Sequence, residues 1–178
     1  MDATSHHLLL LLLTLSPFFH HISKLDAAEN DLIEVVCRVA EAPESCIQCL
    51  RSDPHAEDDD KVGIATIMIN CVSSHANSLS ANMSNTAVGS QDEAAKKLFL
   101  ECSKDYASAE KELDSGIISL KCGKYDDAQV SVALALKYDT DCHFKIISFK
   151  KKIAQQIVYK IKLFEQLCVA ANRIIEHI

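Results

Sequence analysis

Residues 98–144 read LFLECSKDYASAEKELDSGIISLKCGKYDDAQVSVALALKYDTDCHF, and the fold turns on this stretch. Apolar side chains fall at Leu98, Cys102, Tyr106, Ala109, Leu113, Ile117 and Leu120, a spacing that draws one stripe down a helix. Gly123 follows, with Lys121 and Lys124 beside it. A glycine past the last periodic residue, with cations at the negative end of the helix dipole, predicts a stop there. A second stripe returns through Tyr125, Ala128, Val132, Ala135, Tyr138 and Cys142. At about 1.5 Å per residue, Cys102 lies nearly 30 Å from the turn, and Cys142 climbs back by almost as much. The two cysteines are therefore expected level on neighbouring antiparallel helices, where a disulfide can form.

The 178 residues are 48% hydrophobic and 24% charged, with 4 Gly, 3 Pro and no Trp. That length suits one domain with a sizeable core. So few glycines and prolines leave little material for the tight turns of a sandwich or barrel, and an all-α fold is expected. The net charge of −7 argues against a nucleic-acid partner. The charge is uneven: residues 29–142 carry 10 Lys/Arg against 21 Asp/Glu, whereas residues 143–178 carry 7 against 2. A basic last helix lying beside acidic ones accounts for this before any polyanion site is needed.

Upstream, residues 8–19 form an apolar run too short for a membrane span and placed where the core of a signal peptide belongs. Ala27 and Ala28 supply small residues for cleavage, although the run is preceded by Asp2, His6 and His7 and no Lys or Arg. Residues 1–28 are read as a secretory signal, with a mature domain over 29–178 and no later membrane span. Secretion implies that an even set of eight cysteines forms disulfides.

Leu32, Ile33, Val36, Cys37 and Ala40 make a short helical face, and Pro43 opens a second one carrying Cys46, Cys49 and Leu50. A tight helical hairpin over 30–53 would bring Cys37 and Cys46 level, and a bundle over 57–178 follows it. The acidic run 57–60 lacks the glycine and spacing of a calcium loop, and is expected to stabilise a helix N-terminus. That helix runs through Ile64, Ile67, Met68, Cys71, His75 and Leu79, with His75 a half-buried face residue rather than a ligand. Residues 80–89 are small and polar and read as a connection, in which Asn82-Met83-Ser84 is a candidate glycosylation site on a surface loop. Ser90-Gln91-Asp92-Glu93 reads as a capping box with Ser90 as N-cap. After Cys142, residues 145–152 are basic and loop-like at first. A last stripe follows at Ile153, Ile157, Ile161, Phe164, Cys168, Ala171 and Ile175. Four long helices after a short hairpin are the expected inventory.

No catalytic constellation emerges. There is no nucleophile elbow, no phosphate-binding glycine loop and no His-Glu-x-x-His. Cys46-Ile47-Gln48-Cys49 has redox or zinc spacing, but no second such pair and no strand pattern accompanies it. Structural disulfide cysteines are the simpler reading, and no metal or cofactor is expected.

Taken in order, the residues resemble the plant inhibitors of invertase and of pectin methylesterase. The resemblance rests on the leader and on Cys37 and Cys46 in an N-terminal hairpin. It continues through Cys102-x3-Tyr106-x2-Ala109-x3-Leu113, Tyr125-x2-Ala128, the run 130–134 leading to Cys142 and Phe144, and Leu167-Cys168-x-Ala170. It implies an up-down four-helix bundle with an N-terminal helical hairpin, and disulfides Cys37–Cys46 and Cys102–Cys142. It also implies a secreted protein of the apoplast, cell wall or vacuole that is not an enzyme. Such a protein binds a carbohydrate-active enzyme and blocks it, pectin methylesterase being ranked slightly ahead of acid invertase. The alternative is a non-inhibitory extracellular structural or binding protein on the same fold. The other four cysteines are extra to the family pattern. Cys122 and Cys168 are a possible third bridge, leaving Cys49 and Cys71 as a fourth pair or as buried thiols. Lys104 and Lys111, off the apolar stripe, are the candidate partner-binding residues.

Overall fold

The computed structural model describes residues 32–178, so the expected leader, 1–28, lies outside the described residues. Two short helices, α1 (Leu32–Cys37) and α2 (Pro43–Leu50), precede a 3-10 turn (Ala56–Asp58). Four long helices follow: α3 (Lys61–Gly89), α4 (Glu93–Lys121), α5 (Tyr125–Ser148) and α6 (Gln155–Glu176). Each long helix packs on the next and α6 closes back on α3, so α4 and α6 stand diagonally in an up-down bundle. The rings of Tyr106 on α4 and Phe164 on α6 meet edge-on across that diagonal, with centroids 5.5 Å apart. Both side chains are fully buried, and the bundle centre is built on them.

Helix boundaries follow from local chemistry. Pro43 starts α2, where its missing N–H costs nothing. Asp60 caps α3 by accepting from the Gly63 N–H at 2.9 Å, which is how the acidic run serves the helix start. Gly123 has φ +69°, and it ends α4. Its N–H bonds to Leu120 O and the Lys124 N–H to Ser119 O, both at 2.9 Å, a Schellman closure that needs a left-handed residue at this position.

Three boundaries differ from the sequence expectation. Residues 80–89 are not a connection, because α3 continues to Gly89. Leu79, Met83 and Ala87 are buried at helical spacing there, so three apolar residues on one face outweigh the polar ones between them. Asn82 consequently sits in a helix and not in a loop. Ser90 is not the N-cap of α4; Asp92 is, accepting from the Ala94 N–H at 3.2 Å, while Ser90 Oγ accepts from the Asp92 N–H one step upstream. Finally, α5 runs through Ser148, so the basic segment expected to be loop-like is helical at its start, and α6 begins at Gln155.

Disulfides join Cys37 to Cys46, Cys102 to Cys142 and Cys49 to Cys71, with Cα separations of 5.6, 5.0 and 5.7 Å. The first closes the α1–α2 hairpin, the second pins α4 to α5, and the third fastens the hairpin to α3. The possible bridge between Cys122 and Cys168 is absent, since both are free thiols. Cys122 is the exposed C-cap of α4 and Cys168 is buried in α6, and these two helices are diagonal rather than adjacent. Two further contacts seat the hairpin: Arg51 bonds to Glu34 at 3.0 Å, and the Arg173 guanidinium on α6 donates to the Val39 carbonyl.

Candidate functional site

The bonds that α4 makes to its neighbours fix which of its faces remains free. Toward α3, Asn77 Nδ2 donates to Glu110 Oε1 at 2.8 Å, and Ser73 Oγ to Asp114 Oδ1 at 3.3 Å. Ser80 Oγ also donates to Ser103 O, and Ser103 Oγ to Ser80 O, each at 2.9 Å. Toward α5, Lys145 Nζ reaches Asp105 at 2.7 Å and Glu101 at 4.0 Å. These edges flank the buried stripe, so the outward line of α4 carries Lys97, Leu100, Lys104, Lys111 and Ile118, all exposed. Lys104 and Lys111 are seven residues apart, two turns along that line.

On α5 the outward residues are Val130, Leu134, Phe144 and Ile147, with a Lys137–Asp141 ion pair of 2.8 Å among them. Phe144 is 62% exposed and Ile118 on α4 64%, unusual for side chains that size. The disulfide Cys102–Cys142 and the Lys145–Asp105 bond hold the two helices in register. Each of the two cross-linked helices thus presents exposed apolar side chains to solvent, and α4 presents the Lys97, Lys104 and Lys111 ammonium groups beside them. A surface of that kind suits a protein partner with apolar and acidic features. The apolar members of the face escaped the sequence reading because their residue types are indistinguishable from core; only burial separates them.

The basic segment is partly occupied. Lys145 is spent on Asp105 and Glu101, and Lys151 bonds to Asp92 at 2.6 Å, which with the cap bonds holds the Asp92 carboxyl below its usual range. The charge asymmetry led to the expectation of a basic last helix beside acidic ones, but the two lysines paired here lie at the end of α5 and in the connection after it, not in α6. Asn82 is half-buried on the wall of a groove of about 410 Å³ between α3 and α6, with Leu79, Thr86, Ile157 and Lys160 around it.

Among the described residues, the most strongly perturbed carboxyl lies inside the bundle. Tyr106 donates its hydroxyl to Asp139 Oδ1 at 2.6 Å, while Oδ2 has no hydrogen-bond partner. Burial pushes the Asp139 carboxyl up to about 7, against the opposing pull of the Tyr106 bond and with a small further push from Glu165. Asp139 is only 1% exposed, so no substrate reaches it. The sequence reading placed Tyr138 on the buried stripe, but Tyr138 is half-buried and Asp139 takes the core position; Tyr125 is exposed. His75 is half-buried as expected, and burial, aided by Lys160, lowers its pKa. No helix among the described residues is long and apolar enough to cross a membrane.

The family model described as plant invertase/pectin methylesterase inhibitor matches residues 31–174. The chain is 32% identical over 139 residues to the cell wall / vacuolar inhibitor of fructosidase 2 of Arabidopsis thaliana, covering 75% of this chain and 74% of that protein. It is 29% identical over 128 residues to the pectinesterase inhibitor of Actinidia deliciosa, covering 72% and 68%. Among solved structures, it is similar to a mutant form of a pectin methylesterase inhibitor from Arabidopsis, with a TM-score of 0.70 at 18% identity over 81% of this chain and 95% of the other. A second solved structure, of a pectin methylesterase inhibitor from Arabidopsis thaliana, gives 0.62 at 17% identity, over 83% and 95%. At those identities the structural likeness speaks for the fold alone.

Proposed function

Because the chain belongs to the plant invertase/pectin methylesterase inhibitor family, we propose that it is a proteinaceous inhibitor that docks its α4–α5 face on a plant carbohydrate-active enzyme and blocks it. The carrying observation is the family match over 31–174, nearly all of the described chain. The protein is a binder and not itself an enzyme, and its setting is extracellular or vacuolar.

The geometry supports the choice of face. Two helices side by side, about 40 Å long and about 20 Å across together, offer roughly 800 Å², the usual share of one partner in a stable complex. Cross-linking α4 to α5 through Cys102–Cys142 presents that face already ordered, so little conformational entropy is lost on binding. Lys104 and Lys111 then meet acidic groups on the rim of the target.

Pectin methylesterase is the first target to test. Acid invertase is the second reading, favoured by the 32% identity to a fructosidase inhibitor. Titrating the oxidised protein against pectin methylesterase, cell-wall invertase and vacuolar invertase tests both: stoichiometric loss of activity in one assay identifies the target. Folded protein that inhibits none of the three would replace this reading with a non-inhibitory binding protein.

A further inference from the structure

We propose that Cys49, Cys71 and His75 form a redox-gated site for a zinc-class divalent cation, closed while the disulfide is intact and assembled when it is reduced. The ligand atoms of these three residues all lie within 4.8 Å of one another. Cys71 and His75 stand one turn apart on α3 and so project from the same face, and Cys49 comes to them from α2. A tetrahedral zinc with ligand bonds of about 2.0–2.3 Å separates its donors by about 3.5 Å. Side-chain adjustments therefore suffice, and neither helix has to move far.

Access distinguishes this bond from its companions. Cys37, Cys46, Cys102 and Cys142 have no exposed surface. Cys71 is half-buried, and Cys49, Cys71 and His75 together line a pocket of about 280 Å³ with Ser45, Gln48 and Tyr159. A small dithiol reductant entering there meets a sulfur of this disulfide, whereas it must open the core to meet the others. Its thiolate attacks one sulfur to form a mixed disulfide and expels the other cysteine as a thiolate. The second thiol of the reductant, as its thiolate, then closes on the first, leaving the reductant oxidised by two electrons and Cys49 and Cys71 reduced. A divalent cation then takes both sulfurs as thiolates, releasing two protons, and the His75 imidazole as third ligand. The fourth position faces the pocket, where water fits.

The site has a structural consequence of its own. The Cys49–Cys71 bond fastens the hairpin to α3. A metal bridging the same two sulfurs keeps that fastening under reducing conditions, when the disulfide cannot. The Cys46-x2-Cys49 spacing does not contribute a ligand pair, because Cys46 is held by Cys37.

The test uses the purified chain carrying Cys122→Ser, which removes the exposed free thiol. Brief treatment with dithiothreitol, then alkylation and peptide mapping, should label Cys49 and Cys71 ahead of the other disulfide cysteines. Cobalt(II) added anaerobically to the reduced, unalkylated protein should bind one per chain with the visible absorption of a tetrahedral thiolate complex, and zinc(II) should displace it. Oxidised protein should give no such spectrum. His75→Ala should weaken cobalt binding by at least about tenfold, while Cys49→Ser with Cys71→Ser abolishes it. Circular dichroism checks that each species is folded. The proposal is overturned if another disulfide is labelled first, if reduction melts the helices, if no tetrahedral spectrum appears, or if His75→Ala binds cobalt as tightly as the parent protein.

Discussion

Tyr106 on α4 donates its hydroxyl to Asp139 on α5 at 2.6 Å, and this bond lies in the buried centre of the bundle beside Phe164. The second carboxyl oxygen has no partner, and burial raises the Asp139 pKa to about 7. An unfolded aspartate titrates near 3.9. Below that value both states are protonated and the group is neutral toward stability. Between about pH 4 and pH 7 the unfolded chain ionises first, so the fold loses stability as pH rises, by on the order of 4 kcal/mol when the window is complete. Urea unfolding midpoints should therefore fall across that window. Asp139→Asn keeps an acceptor for Tyr106 and removes the charge, so its midpoints should change much less. A wild type whose midpoint is flat from pH 4 to 7 would refute the raised pKa of Asp139.

Removing the α4–α5 cross-link tests the other element of the same helix pair. Cys102 and Cys142 close a loop of 40 residues, worth about 4 kcal/mol in the chain-entropy model. Cys102→Ala with Cys142→Ala should lower stability by that order, a large share of a small domain's total. Chemical denaturation followed by helical dichroism measures it. A loss below about 1 kcal/mol would mean that packing around Tyr106 and Phe164 holds α4 to α5 unaided.

The two halves of the Tyr106–Asp139 bond were unequally legible in the sequence. Tyr106 falls on a clean apolar stripe, and the helix that carries it ends where Gly123 requires it to end. Asp139 is hidden in the sequence because a carboxylate in a helix reads as outward-facing, although the steps Ala135, Asp139, Cys142 and Ile146 continue the buried line. Residues 80–89 failed for a related reason: small polar side chains suggested a connection, yet Met83 and Ala87 are enough to keep the helix on the core. The exposed apolar surface of α5 was the least legible of all. An exposed Phe144 and a buried Phe164 are the same letter, and only the assembled bundle separates them. The Cys49–Cys71 pairing likewise waited on the way α2 lies against α3.

Gly116 lies on the buried stripe of α4 with little room between it and α5. A Cβ built there would lie 3.3 Å from Ser131 Cβ and 3.7 Å from Ile69 Cδ1. Gly116→Val adds two methyl groups beyond that crowded atom, and overpacking should cost about 1–3 kcal/mol despite any gain in backbone entropy. Gly89→Ala is the matched control, since a Cβ there meets nothing within 4 Å. Thermal unfolding of the pair should show the loss at Gly116 only.

The last prediction asks whether the outward line of α4 meets the target enzyme. Lys104 and Lys111 are exposed, off the buried stripe and two turns apart, so Lys104→Glu with Lys111→Glu should leave helicity and unfolding midpoint almost unchanged. If that line lies at the centre of the complex, reversing two charges sets like against like and costs several kcal/mol, a loss of at least about a hundredfold in inhibition. Rim positions would show a smaller loss and a steeper dependence on salt, because exposed charges are screened. The assay is inhibition of whichever enzyme the wild type blocks, run at two ionic strengths beside circular dichroism. Undiminished inhibition by the folded double variant would remove α4 from the interface. The exposed Val130, Leu134, Phe144 and Ile147 of α5 would then carry the contact, and Phe144→Ala becomes the decisive substitution, since its exposed ring adds little to the free protein's stability.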